Sequence, residues 1–230
     1  MSIEFSTLIF SGSDVIPFLQ GQLTADLEAL AFIEPHPANE GLAGICNNKG
    51  RLIATLWPIR DSDEQVRMIL PSDLATKVEA HLTRYIFRSK VTIEARLATE
   101  EERNSLPKRL IIPWLTEAQS EKYIPQMVSL DSLKGISFTK GCYTGQEIIA
   151  RMHFLGTHKR RLAHIRSEFP SELVAGATIT TDEGERGGEV LLAKEDEALA
   201  VLYLDAAQAP LMIEHPITVN TIWNQLEEEE

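Results

Sequence analysis

The sequence predicts an α+β region followed by a small C-terminal β-barrel, and three observations support this fold class. Up to residue 98 the apolar patterns read β-α-β-β-β-α-β, the order of a sheet with helices on one side. Beyond residue 160 several short strand patterns follow without a helix, which is typical of a barrel or sandwich. The 230 residues, 43% of them hydrophobic, can bury one sizeable core or two smaller ones. We therefore divide the chain into an α+β region, 1–154, and a barrel, 155–230.

The elements of the α+β region follow from local patterns of apolar and turn-forming residues. Helix N-caps are expected at Ser13 or Asp14 and at Ser72 or Asp73. Asn and Gly at 47–50 tolerate positive φ and predict the turn of a hairpin. The predicted elements are strand 5–12, helix 13–23, hairpin 41–60, strand 65–70, helix 72–87 and strand 90–98.

The stretch from 99 to 123 is charged and gives a weak pattern. Pro107 and Pro113 interrupt it, and we predict one strand within it, at 109–114. The acidic run 100–102 predicts solvated surface charge. The barrel strands are expected at 161–167, 177–181, 188–195, 197–204 and 216–223.

The overall charge excludes one function class. The formal net charge is −12, whereas generic nucleic-acid binding relies on basic patches that neutralise phosphate. The first ten residues carry Glu4 and no basic run, and no apolar run approaches the roughly 20 residues of a membrane span. Two cysteines cannot form a disulfide framework. We expect a soluble, cytoplasmic protein with reduced thiols and no membrane or direct nucleic-acid partner.

The charge is unevenly distributed along the chain. Residues 155–230 hold six Lys and Arg against fifteen Asp and Glu, a net of −9. Within 134–161 the sign reverses, with six basic residues against Glu147. A local basic segment in an acidic protein favours an anionic small ligand or a local anionic partner, although a solvated basic loop explains it equally well.

The basic segment contains the sequence KGCYTGQE, residues 140–147. Thr144 and Glu147 fit a capping box at the start of a helix that continues to 155, which places Cys142 just before a helix N-terminus. The helix dipole and Lys140 would then favour a thiolate at Cys142. Gly145, with Gly141, would let the backbone approach a ligand closely. Alternatively, Cys142 is a buried residue of an ordinary turn.

Other residue types give no further site. Cys46 lies in an apolar run and is predicted to be core, as is His81 on the apolar side of its helix. The six histidines show no metal-ligand spacing, and two distant cysteines are not an iron–sulfur ligand set. Phosphate-loop, dinucleotide and nucleophile-elbow motifs are absent from the sequence.

Several segments resemble, in order, those of the YgfZ-like folate-binding proteins, which are relatives of the glycine-cleavage aminomethyltransferase (T-protein). The resemblance covers most of 1–165. T-proteins have an aspartate where this chain has Cys142. The matching segments are FLQGQLTADL (18–27), NNKGRL (47–52), LTRYIFRSKVTIE (82–94), IPQMVSLDSLKGISFTKG (124–141) and KGCYTGQEIIARMHFLGTHKRRL (140–162).

The resemblance implies two aminomethyltransferase-like α+β lobes and a β-barrel around a central hole that binds tetrahydrofolate. Phe5 occupies the place of an aromatic at the pterin, and Arg151 and Lys159 match basic positions after the motif. The family has a longer middle than residues 95–123 provide. Residues that would line or support the pocket are Lys140, Cys142, Tyr143, Gly145, Gln146 and Glu147.

The same resemblance implies a function. It predicts a tetrahydrofolate-binding protein that supports assembly or repair of iron–sulfur enzymes, including tRNA-modifying ones, with iron–sulfur proteins or their assembly factors as partners. Cys142 would be the functional thiol and Lys140 its electrostatic partner. The thiolate would form a transient mixed disulfide or handle a one-carbon unit on folate. The alternatives are a folate-dependent one-carbon (aminomethyl) transferase and a non-enzymatic docking protein that has lost folate binding.

Overall fold

A computed structural model describes residues 3–29, 41–107 and 111–223 of the chain. The predicted order β-α-β-β-β-α-β up to residue 98 is confirmed. The helices are α1 (Val15–Gln20), α2 (Ser72–Thr83), α3 (Glu100–Ser105) and α4 (Gln146–Leu155). The strands are β1 (Phe5–Ser11), β2 (Ala43–Cys46), β3 (Leu52–Arg60), β4 (Gln65–Pro71), β5 (Thr92–Leu97), β6 (Arg160–Ser167), β7 (Thr178–Thr181), β8 (Arg186–Lys194), β9 (Glu197–Tyr203), β10 (Leu211–Met212) and β11 (Pro216–Ile222).

The first five strands form one antiparallel sheet in the order β2-β3-β4-β1-β5. Helix α2 covers this sheet because its apolar residues recur at helical spacing. Leu74, Val78 and Leu82 are completely buried, each four residues from the next on one face of the helix. β5 is the exposed edge strand, with Leu97 61% exposed.

The predicted N-cap of α1 is confirmed at Asp14, whereas the predicted N-cap of α2 at Ser72 or Asp73 is wrong. Neither helix has a side-chain capping bond, because the two aspartates bind distant segments instead. Asp14 Oδ2 accepts the backbone N–H of Lys90 at 2.8 Å and makes no capping bond to α1. Pro71 is the N-cap of α2, and Asp73 Oδ2 accepts the backbone N–H of Glu117 at 2.8 Å. Both carboxylates therefore stabilise tertiary contacts.

The middle of the chain differs most from expectation. Residues 111–114 carry no strand, because Pro113 removes a backbone donor, and positions 109 and 110 lie outside the described residues. Glu102 is buried rather than surface charge, with 4% of it exposed. Its carboxylate binds Thr7, Arg67 and Arg96 and completes a capping box with Thr99 of α3.

The second part of the chain is a closed barrel with the strand order β10-β11-β6-β9-β8-β7. The five predicted barrel strands are confirmed, and β10 was missed because it has two residues. α4 ends at Leu155 and β6 begins at Arg160. All strands described before Leu155 belong to one sheet, and the division of this region into two lobes stays a prediction. The boundary at 154/155 stays a prediction.

The barrel packs on the segment that connects α3 to α4. Arg161 of β6, which is 1% exposed, donates to Asp131 Oδ1 at 2.6 Å and to the Gln126 carbonyl oxygen at 3.0 Å. Gln119 Nε2 donates to the Leu191 carbonyl oxygen at 2.8 Å. Ser129 Oγ donates to the Trp223 carbonyl oxygen at 2.8 Å. These buried polar contacts fix the barrel beside the residues that precede Cys142.

Candidate functional site

Three segments far apart in the sequence converge at residues 140–147. Lys140 Nζ donates to the carbonyl oxygens of Leu23 and Ala25, at 2.9 and 2.8 Å. The backbone N–H of Thr144 donates to the Gly21 carbonyl oxygen at 3.1 Å. These bonds join the turn after α1 to the cysteine-containing segment.

The ammonium of Lys140 lies in a mostly dry environment. Burial lowers the pKa of Lys140 to about 8, although the carboxylates of Asp26 and Glu28 act in the opposite direction. The ammonium also lies 5.2 Å from the centroid of the Tyr143 ring, a cation–π distance. Its hydrogen bonds go to backbone carbonyls, and its role as electrostatic partner of Cys142 stays a prediction.

The start of α4 packs against the hairpin turn between β2 and β3. Gly145, with φ of 83°, is the N-cap of α4, and no side chain caps the helix. The expected capping box of Thr144 and Glu147 is therefore wrong, because Thr144 Oγ1 donates to Gln22 Oε1 instead, at 3.3 Å. A Cβ on Gly145 would lie 2.7 Å from the Asn47 carbonyl oxygen. The glycine is thus required by chain packing, whether or not a ligand approaches it.

The two cysteines have opposite environments. Cys46 of β2 is completely buried, as predicted, and burial raises the pKa of its thiol far above the ordinary range. Cys142 is exposed, which excludes the alternative of a buried cysteine in a turn. Tyr143 is buried, and burial together with the nearby Cys46 raises the pKa of its phenol. Successive residues therefore present one thiol to solvent and one aromatic ring to the core.

The remaining predicted site residues lie in two places. Gln146 and Glu147 form the first turn of α4, and the exposed side chains of Arg151 and Lys159 follow in and after the helix. Phe5 lies on β1, and β3 and β4 separate β1 from β2. At a strand spacing of about 4.8 Å, this places Phe5 on the order of 14 Å to the side of the Cys46 strand.

Trp114, which sequence reasoning did not place in the site, packs against Phe5. The two rings meet edge to face, with centroids 5.1 Å apart and planes at 72°. The sequence offered the tryptophan beside Pro113 but no spacing that would pair it with β1. The shortened middle of the chain therefore places an aromatic ring against Phe5.

Gln126 was also missed by sequence reasoning. It is completely buried, and its Nε2 donates to the Ile149 carbonyl oxygen of α4 at 2.7 Å. Its Oε1 has no hydrogen-bond partner among the described residues. Because Arg161 of the barrel binds the Gln126 backbone, this free acceptor lies where α4 and the barrel meet. A single buried glutamine in a coil segment carries no pattern that sequence could reveal.

Two kinds of feature are absent from the described part of the chain, a cluster of metal-ligating side chains and a membrane-spanning helix. Within 3–29, 41–107 and 111–223, no three His, Cys, Asp or Glu side chains are grouped as a metal site requires. Over the same residues no helix has the length and apolarity to cross a bilayer.

This chain is similar to several known proteins. A protein-family model described as CAF17, C-terminal beta-barrel domain, matches residues 159–225. The human protein named iron-sulfur cluster assembly factor IBA57, mitochondrial, is 26% identical over 88% of this chain and 76% of its own length. The tRNA-modifying protein YgfZ of Serratia proteamaculans (strain 568) is 28% identical over 83% of this chain and 78% of its own.

The solved structures confirm the fold class. Aminomethyltransferase T of the glycine cleavage system from Bartonella henselae superimposes with a TM-score of 0.69 at 11% identity. The superposition covers 94% of this chain and 83% of the other. At that identity the likeness concerns the fold, and it confirms the aminomethyltransferase-like α+β region with its C-terminal barrel.

Proposed function

We propose that the chain is a member of the YgfZ-like folate-binding proteins, that it binds a tetrahydrofolate, and that it supports assembly or repair of iron–sulfur enzymes, including tRNA-modifying ones. One observation carries this proposal. Three segments that carry the family resemblance meet around the exposed Cys142, through Lys140, Thr144 and Gly145. The names of the relatives, an iron–sulfur cluster assembly factor and a tRNA-modifying protein, support the same function.

The chemical character of the residues present fits a reduced folate. Phe5, which is partly exposed and packed against the buried Trp114, offers an aromatic ring to a pterin, which is itself a flat ring system. Gln126 Oε1 is a buried acceptor without a partner in the described chain. The exposed cations Arg151 and Lys159 suit the carboxylates of the glutamyl end. Bound folate would supply a one-carbon carrier, and these residues would orient it.

Cys142 is the functional thiol of this proposal. Its exposure lets a macromolecular partner reach the sulfur, which the burial of Cys46 forbids. Lys140 holds the backbone of its own segment against Leu23 and Ala25, so it positions Cys142 as well as contributing charge. Tyr143 packs its ring beneath this segment, and Gly145, Gln146 and Glu147 begin the helix that supports it.

The proposal also covers partners and location. We expect the partners to be iron–sulfur proteins or their assembly factors, and the location to be the cytoplasm. The cysteine at 142, where T-proteins have an aspartate, favours this reading over an aminomethyl transferase.

A complementation experiment tests the proposal in cells. The chain is expressed in a bacterial strain that lacks its own YgfZ-like protein, and modified tRNA nucleosides and iron–sulfur enzyme activity are measured. The wild type and Cys46→Ala should restore both, whereas Cys142→Ser should restore neither. Full complementation by Cys142→Ser would remove the thiol from the proposal. Failure of the folded, expressed wild type would overturn the proposed function itself.

A further inference from the structure

Helix α4 presents an unusual face to solvent. Of its ten residues, which the structure describes in full, Ile149 is the buried one. Phe154 is 69% exposed, Leu155 84% and Ile148 37%. Eight large apolar side chains are exposed in the described chain, and three of them lie on this one helix. A group of exposed large apolar side chains on one element is typical of a surface that another molecule covers.

The spacing of the side chains suits a second helix. Ile148, Met152 and Leu155 follow one another at intervals of four and three residues, so they form one stripe along α4. Such i, i+4, i+7 anchors are the pattern by which helices pack on one another. Ten residues give a stripe of about 15 Å at roughly 1.5 Å per residue.

The phenylalanine beside the stripe is held in place before any partner binds. The rings of Phe138 and His153 stack with centroids 3.7 Å apart. Phe154 contacts the His153 ring edge to face at 4.7 Å. An aromatic group already fixed by neighbours loses little conformational freedom on binding, which favours affinity.

The charge around this face is positive in an acidic protein. Arg151 lies between the apolar anchors, Lys159 follows the helix, and Lys49 belongs to the hairpin turn that contacts Ile148. All three are exposed, and none forms an ion pair with another residue of the described chain. Glu147 is the exposed acid of α4. A partner for this face should therefore be apolar along one stripe and acidic beside it.

We propose that the α4 face, made of Ile148, Arg151, Met152, Phe154 and Leu155, docks an acidic amphipathic helix of a partner protein. A short helix can match the local positive charge without reaching the barrel, whose residues 160–223 hold five Lys and Arg against eleven Asp and Glu. A long polyanion such as RNA, or an anionic membrane surface, extends past α4 to the acidic barrel and meets that repulsion. The docking does not require folate.

The test uses the full chain and a defined probe. A fluorescein-labelled peptide of about 16 residues, with leucines at i, i+4, i+7 and glutamates on the other faces, is titrated by fluorescence anisotropy. We expect a Kd on the order of 10–100 μM, which weakens severalfold when NaCl rises from about 0.05 to about 0.3 M. The double variant Phe154→Ser/Leu155→Ser should bind at least about tenfold more weakly, as expected for loss of two apolar anchors.

A matched control distinguishes docking at α4 from non-specific hydrophobic binding elsewhere on the surface. Phe87 is 87% exposed and lies outside α4, so Phe87→Ser should leave peptide affinity unchanged. A peptide with lysines in place of glutamates should not bind. Circular dichroism spectra and melting temperatures of the variants confirm that they are folded. Absence of saturable peptide binding, or equal binding by the α4 double variant, overturns the proposal, as does preferential binding of anionic phospholipid vesicles or an RNA oligonucleotide.

Discussion

Lys140 shows how one side chain can join the segments of this site. Its ammonium donates hydrogen bonds to the carbonyl oxygens of Leu23 and Ala25 rather than to solvent. A buried ammonium is costly to desolvate, and the cost shows as a lowered pKa. Because of this burial, the shifted pKa of Lys140 can be measured through the pH dependence of the free energy of unfolding.

The stability of the protein should rise with pH, because Lys140 loses its proton at a higher pH in the unfolded chain than in the folded chain. The native pKa is about 8, against an ordinary value near 10.5. Between these values the unfolded chain binds more protons, so the free energy of unfolding increases with pH. Urea unfolding of the wild type should therefore gain about 1–3 kcal/mol relative to Lys140→Met between pH 7.5 and pH 10. Parallel pH profiles would show that Lys140 titrates normally.

Sequence reasoning predicted some residues correctly and misplaced others for physical reasons. Cys46 could be assigned to the core because an apolar run surrounds it. Glu102 was misread as surface charge, although Thr99 three residues before it carries the capping-box pattern. Thr144 carries the same pattern but turns to Gln22, since tertiary contacts compete with local capping.

At the scale of elements, the hairpin turn and the start of α4 form a glycine-to-glycine contact. A Cβ on Gly145 would lie 3.0 Å from the Cα of Gly50. A Cβ on Gly50 would lie 2.8 Å from Cβ of Ile148. Both glycines have positive φ, so each is required by conformation as well as by space. The hairpin could be predicted from sequence, whereas its contact with α4 could not.

Gly145→Ala should destabilise the protein through both effects. The left-handed conformation alone costs an L-residue about 1–2 kcal/mol, and the clash with the Asn47 backbone adds to it. Gly184 has a nearly equal φ of 82° and open space where a Cβ would be, so Gly184→Ala reports the conformational cost alone. Chemical denaturation should therefore show a larger loss for Gly145→Ala. Equal losses would mean that the hairpin and α4 do not pack as described.

At the scale of the molecule, a buried ion pair fastens the barrel to the rest of the chain. Arg161 and Asp131 are 1% and 5% exposed at their side chains. The barrel strands could be predicted from alternation and turns, but its docking could not. That contact depends on Arg161, which in the sequence is one of six basic residues within 134–161 with no pattern that pairs it with Asp131.

Asp131→Ala should be among the more destabilising substitutions in the barrel contact. Removing one partner leaves the Arg161 charge buried, with an expected loss of about 3–5 kcal/mol. Asp196→Ala is the matched control, because its pair with Arg166 is solvent-exposed and its loss should destabilise the protein much less. Urea denaturation at pH 7 measures the loss of unfolding free energy for both variants. A small loss for Asp131→Ala would contradict the fastening role of this pair.

Folate binding is the central claim, and isothermal titration calorimetry with tetrahydrofolate tests it most directly. We predict saturable binding at one site with a Kd on the order of 1–100 μM. Phe5→Leu, which removes the aromatic partner of Trp114, should weaken it, while Phe87→Leu should not. Heats that do not saturate in folded protein, or an affinity that Phe5→Leu leaves unchanged, would contradict the account.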